Sequence, residues 1–211
     1  MLPLIMSDIS YSKRQRLCWT KTRFLNSVAD GRAFPYAGKP QVAVAGHSNV
    51  GKSSLLNALF GRKGLAKTSK SPGCTRLLNV FDVDGFLLLI DLPGYGFARA
   101  SKHEQRAWSG LIENYLLDNP DLKLVLSLLD IRHGPKKNDL QLIEWLNAAG
   151  LRWLPVATKA DKLSGNARSK RLKEMTKALG GMLTPLATSA NDGRGIEELR
   201  HLIEREVFAA F

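Results

Sequence analysis

The chain has 211 residues, 44% of them hydrophobic, enough for one domain with a sizeable core. Lys and Arg number 31 against 19 Asp and Glu, a formal +12, which points to a polyanionic partner such as nucleic acid or an acidic membrane surface. No run approaches the roughly 18 apolar residues of a bilayer-spanning helix, and Cys18 and Cys74 have no CxxC spacing, so neither a transmembrane helix nor a cysteine metal site or disulfide framework is expected. The opening "MLPLIM" is too short for a signal-peptide core and lacks a basic start, so the reading is cytoplasmic, with Met1 and Met6 both candidate starts.

Residues 1–38 read as an extension, with a possible helix around 20–30 and a Gly- and Pro-rich turn at "DGRAFPYAGKP". From residue 39 to 211 short apolar runs alternate with helical stretches. The strand candidates are 41–46, 77–83, 86–91, 123–130, 153–159 and 183–189. The helix candidates begin at Lys52, at His103 (with Trp108, Leu111, Ile112 and Tyr115 on one face), at Lys137, at Ala167 and at Gly195. "DVDG" at 82–85 predicts a tight hairpin, which makes its two strands antiparallel. The alternation predicts an α/β fold: a three-layer P-loop NTPase with a mostly parallel sheet.

"GHSNVGKSS" follows the first of these runs and matches G-x-x-x-x-G-K-[ST]. Gly46 and Gly51 let the backbone approach phosphate oxygens, and the N–H groups of His47, Ser48, Asn49 and Val50 with the helix start face the anion. Lys52 reaches β- and γ-phosphates, Ser53 offers a hydroxyl to Mg²⁺, and Ser54 reaches the α-phosphate. His47 itself reads as a tolerated loop residue.

Four further segments narrow the ligand. Asp91, Leu92, Pro93 and Gly94 ("DLPG") end an apolar run; a carboxylate there serves Mg²⁺, and the Gly94 N–H can meet a γ-phosphate. Thr158, Lys159, Ala160 and Asp161 ("TKAD") end another. An Asp there accepts from guanine N1–H and its exocyclic amine, a donor pair that adenine lacks, while the Lys159 stem packs along the base. Thr188, Ser189 and Ala190 bring small residues and an N–H to the guanine carbonyl. Gly73, Cys74 and Thr75 sit in a polar, basic loop, where Thr75 offers a second hydroxyl to Mg²⁺.

As an ordered set over 41–192 these motifs are those of a translation-factor-related GTPase. With "GHSNVGKSSLLNAL", "SPGCT", "DLPGYGFA", "LLDIRHGPKKND" and "TKADKL", the chain resembles the EngB family of bacterial GTPases. The resemblance implies a Ras-like sheet of six strands, one of them antiparallel, wrapped by five helices. It also implies GTP or GDP with Mg²⁺, metal ligation by Ser53 and Thr75, switches at 62–76 and 91–103, and a cytoplasmic location. The implied role is assembly of the large ribosomal subunit, through its RNA and proteins, in support of growth and division.

Ras-type enzymes place a water-orienting glutamine just after D-x-x-G. Here that residue is Tyr95, a poor substitute, so slow hydrolysis raised by a partner or a cation is expected, and no catalytic residue is assigned. Asn49 admits two roles, a K⁺ ligand or a turn former. Arg99 reads as facing RNA or solvent, and His103 as a helix start. Two alternatives stand beside the switch: a P-loop small-molecule kinase, for which no lid insertion is visible, and an RNA-binding module without nucleotide turnover.

Overall fold

The computed structural model describes residues 16–29, 34–66, 77–95, 102–117 and 119–208, with the side chains of 102–109 left aside. The sheet comprises β1 (Arg23–Val28), β2 (Gln41–Gly46), β3 (Leu78–Val83), β4 (Leu87–Asp91), β5 (Leu122–Asp130), β6 (Trp153–Thr158) and β7 (Leu186–Ala187). The helices are α1 (Lys52–Phe60), α2 (Lys102–Leu117), α3 (Lys137–Ala148), α4 (Gly165–Ala178) and α5 (Ile196–Phe208). The expected strands and helices after residue 39 are all present.

Strand order is β1-β3-β4-β2-β5-β6-β7. Only β3 runs against its neighbours, pairing antiparallel with both β1 and β4. The β3–β4 hairpin turns at Asp84 and Gly85, with φ of 53° and 81°, the left-handed pair that a two-residue turn requires.

Alternation along β2 sends side chains to two cores. Val42 and Val44 face Leu55 and Leu59 of α1 and Leu199 and Ile203 of α5. Ala43 and Ala45 face Ile112 and Tyr115 of α2 and Leu146 of α3. A third cluster places Met175 of α4 and Leu179 just after it against Leu129, Ile131 and Ala157. The sheet is therefore covered on both faces, which is why its strands read as nearly unbroken apolar runs. Trp108, placed with Leu111 and Tyr115 on one helix face, has a side chain outside the described set.

The segment at 20–30 departs from expectation. In place of the expected helix stands a short 3₁₀ turn, Trp19–Lys21, followed by β1, a seventh strand. The reason is tertiary. The outer edge of β3 is open, and β1 pairs with it from Arg23↔Asp82 to Val28↔Leu78. Side chains then fasten the segment: Asp82 takes both Arg23 and Lys39, and the Trp19 indole donates to Glu204 of α5 at 2.8 Å. Pairing with an open edge overrides local helix preference.

Because β2, β4, β5, β6 and β7 are parallel, Gly46, Asp91, Asp130, Thr158 and Ala187 reach the same rim. Strand order reverses at β2, so this rim is the crevice where open α/β sheets bind ligands.

Candidate functional site

The loop between β2 and α1 crosses that rim. A Cβ on Gly46 would lie 2.8 Å from Val50 Cγ1 and 3.0 Å from Leu128 Cβ, so the close approach of loop to β5 requires glycine. Gly51 has a φ of 105° and caps α1. Asn49, at φ 65°, makes the turn its residue type favours. The Ser48 N–H is spent on the Tyr95 carbonyl (2.9 Å) and the Val50 N–H on the His47 carbonyl (3.0 Å). Among the described residues, the N–H groups of Asn49, Gly51, Lys52, Ser53 and Ser54 have no acceptor. Five donors gather at a helix N-terminus, where the macrodipole also favours an anion. His47 keeps its ring out of this cradle, with Nδ1 2.8 Å from the Ser48 carbonyl.

Lys52 and Asp91 form an ion pair, with side chains 14% and 8% exposed. Asn79 Nδ2 adds a 3.3 Å bond to the other Asp91 oxygen. The hydroxyl of Ser53 in the first turn of α1 and the carboxylate ending β4 are hard oxygen donors, the chemistry that Mg²⁺ takes. Among the described residues no cluster of three or more His, Cys, Asp or Glu exists. Gly73, Cys74 and Thr75, with Arg99, lie outside the described residues. Leu92 and Val50 bury their side chains in the core, so only their backbone reaches the rim.

"TKAD" ends β6 beside this loop. Thr158 Oγ1 donates to the Val50 carbonyl at 2.6 Å, so Thr158 ties β6 to the loop. Lys159, at φ 60°, reaches back: its Nζ donates to the Asn49 carbonyl (2.6 Å) and to Asp130 (2.9 Å). Its stem therefore lies across Gly51, where an added Cβ would meet Lys159 Cε at 3.5 Å. Asp130 also accepts two bonds from the Arg132 guanidinium, at 2.9 and 2.7 Å. Burial raises its pKa, but the bonds from Arg132 and Lys159 outweigh it and hold the carboxyl well below its ordinary 3.8. A depressed folded pKa means that this contribution to stability is complete above about pH 4 and is lost as pH falls through the lowered value.

Asp161 follows one residue after Ala160, whose N–H is held by the Thr188 carbonyl (3.0 Å). Burial pushes the Asp161 carboxyl up, yet hydrogen bonds from Ser189 and Lys162 bring it below the ordinary carboxylate value, so it is ionised at neutral pH. Ser189 Oγ donates to Asp161 Oδ1 at 3.0 Å and accepts the N–H groups of Asn191 and Asp192. The neighbouring Ala190 N–H has no acceptor among the described residues. A carboxylate and a free N–H thus stand together, one fit for a pair of donors and the other for a carbonyl.

Tyr95 is turned from the place a water-orienting residue would hold. Its hydroxyl donates to Asp139 Oδ1 at 2.7 Å, and Asp139 Oδ2 accepts the Lys136 N–H at 2.7 Å. Burial, then the Asp139 charge, push the phenol far up, so it stays protonated and donating. Tyr95→Phe should therefore cost stability rather than rate. Leaving buried Asp139 short of a donor costs about 1–3 kcal/mol, several degrees in Tm, while single-turnover hydrolysis stays within about twofold. A rate loss of tenfold or more at unchanged Tm would show the phenol to be catalytic.

The family described as "50S ribosome-binding GTPase" matches residues 41–159. "Probable GTP-binding protein EngB" of Syntrophomonas wolfei is 45% identical over 171 residues, covering 81% of this chain and 89% of the relative. The protein of the same description from Pelotomaculum thermopropionicum is 45% identical over 188 residues, covering 87% and 94%. The chain belongs to the EngB family. It is a P-loop GTPase by family and by fold. A solved structure of a probable GTP-binding protein engB superposes with a TM-score of 0.66 at 22% identity, over 79% of this chain and 98% of that one. The G domain of the T. maritima FeoB iron transporter does so at 0.52 and 31% identity, over 80% and 99%. These likenesses agree with the predicted three-layer fold.

Two features of this EngB-family site go beyond what its sequence motifs assign: the Asp130–Lys159–Arg132 cluster and the Tyr95–Asp139 bond. Asp130 and Asp139 both lie in "LLDIRHGPKKND", a stretch that carries the resemblance without giving its carboxylates a role.

Proposed function

We propose that this chain is a slow guanine-nucleotide switch, cytoplasmic, that acts on the large ribosomal subunit or its precursor and so supports growth and division. The observation that carries the nucleotide reading is the set of five N–H groups at the start of α1 that have no acceptor among the described residues, with Asp161 and the Ala190 N–H further along the same rim. In this reading Gly46–Ser54 hold the phosphates, and Ser53 and Thr75 hold Mg²⁺, which neutralises phosphate charge. Asp91 and Gly94 read the γ-phosphate, and Lys159 and Asp161 with Ser189 and Ala190 take guanine. Lys52 leaves Asp91 when a triphosphate enters, freeing that carboxylate toward the metal shell. Residues 62–76 and 91–103 are the switches. The family description supports the ribosomal partner, and the formal +12 supports contact with its RNA. Among the described residues no helix is long and apolar enough to cross a membrane.

Sedimentation of the chain with large-subunit precursors tests the partner. Co-migration with a GTP analogue should exceed that with GDP, and particles should raise GTP turnover. No co-migration with either nucleotide would remove the ribosomal role. The same turnover assay in K⁺ and Na⁺ addresses Asn49: faster hydrolysis in K⁺ assigns it a cation, and equal rates leave it the turn alone.

A further inference from the structure

We propose that the exposed stripe of α4, together with the adjoining 132–137 loop, is a face that binds the phosphate backbone of structured RNA. The inference rests on the large-subunit reading above and adds to it the surface and the chemistry of contact.

The charge of this chain is not evenly spread. Residues 132–137 and 162–177 hold nine Lys or Arg and a single acidic residue, Glu174. Arg132 and Lys162 are taken by Asp130 and Asp161 at the segment edges and Arg171 by Glu174, which leaves six cations without an ion-pair partner among the described residues. The fold brings these two segments together although the sequence separates them. The loop after β5 runs beside α4, where a Cβ on Gly134 would lie 3.9 Å from Met175 Cγ. Ile131 and Met175 share one buried cluster beneath that contact.

Helix periodicity then sorts the basic residues. Met175 and Leu179 point into the core, so Lys170, Lys173 and Lys177, spaced i, i+3 and i+7, fall together on the solvent side and are all exposed. They span about 10 Å along the helix axis. Glu174 is taken by Arg171 at 3.1 Å, and among the described residues none of the three lysines has an ion-pair partner. Like charges at these spacings destabilise a helix by a few tenths of a kcal/mol per pair, a repulsion that a polyanion relieves. The exposed faces of α3 and α5 are mixed by comparison: α5 carries Glu197, Glu198 and Arg205, and α3 carries Lys137 and Glu144.

The type of polyanion follows from what the face lacks. Residues 162–177 contain no aromatic side chain, and the adjoining loop contains only the imidazole of His133, too little for a platform on which successive unpaired bases could stack. Flexible lysines on a regular helix suit sequence-independent contact with phosphates of a folded duplex.

The test uses the full chain with GDP and protein-free large-subunit RNA, titrated from about 50 to 200 mM salt. The variant K170Q/K173Q/K177Q removes the stripe, and R16Q/K21Q/R205Q removes the same charge elsewhere. The stripe variant should bind at least tenfold more weakly at mid-range salt, with a log–log salt slope shallower by about 2–3, near one per lost phosphate contact. The second variant should bind as wild type, and both should keep nucleotide affinity and Tm. Equal behaviour of the two variants overturns the assigned face and leaves the ribosomal reading standing. Binding of wild type to complete particles but not to free RNA assigns the partner to protein and overturns the RNA claim. Failure of wild type to bind either overturns both readings.

Discussion

Asp161→Asn is expected to exchange the base preference of the chain from guanine to xanthine. The ionised carboxylate offers two acceptor oxygens, matching guanine N1–H and its exocyclic amine. Asparagine keeps one acceptor and replaces the other with an N–H₂ donor. That donor faces the guanine amine, donor against donor, but it pairs with the carbonyl that xanthine carries at the same position. A site built to pair polar groups discriminates by about 10⁴–10⁵ when a pair is lost outright. GTP affinity should thus fall by roughly 10²–10⁴ and xanthosine triphosphate should become the better ligand. The fold should survive, because the asparagine oxygen still accepts from Ser189 Oγ, as Asp161 does at 3.0 Å. Undiminished preference for GTP in the variant would contradict the base assignment.

Lys52→Ala is expected to strike nucleotide binding and stability together. The lysine ends in an ion pair with Asp91, and both side chains are largely buried. Removing one partner of such a pair leaves an uncompensated charge, at about 3–5 kcal/mol, softened here by the Asn79 amide at 3.3 Å. The same substitution removes charge-assisted bonds to the β- and γ-phosphates, worth about 1.5–3 kcal/mol each, so GTP should bind at least 10²-fold more weakly. The two effects separate in the double variant K52A/D91N. Relieving the stranded carboxylate should restore much of the Tm but none of the GTP affinity. GTP binding by Lys52→Ala within threefold of wild type would contradict the cradle.

Periodicity finds the sheet after residue 39 because β2, β5 and β6 are covered on both faces, and their apolar runs have no solvent-facing break. It misses β1 because an edge strand has no such run. Phe24 and Leu25 are exposed there, and what fixes the segment is the open edge of β3 and the carboxylate of Asp82, both remote in sequence. The site divides the same way. Gly46, Lys52, Asp91 and Asp161 are legible because they act at fixed spacing within short motifs. Tyr95 is legible as a departure from the Ras-type pattern, but not as a donor to Asp139, since that bond joins residues 44 apart. The Lys159 link to Asp130 is hidden for the same reason, at a separation of 29.

The central claim is that a backbone cradle after β2 and a carboxylate after β6 together select a guanine nucleotide. Competition of GDP and ADP against fluorescent GDP on the wild-type chain with Mg²⁺ tests it most directly. The account predicts displacement by GDP at least about 10³-fold more effective than by ADP. Equal displacement by the two, or no micromolar binding of the labelled GDP, would contradict it.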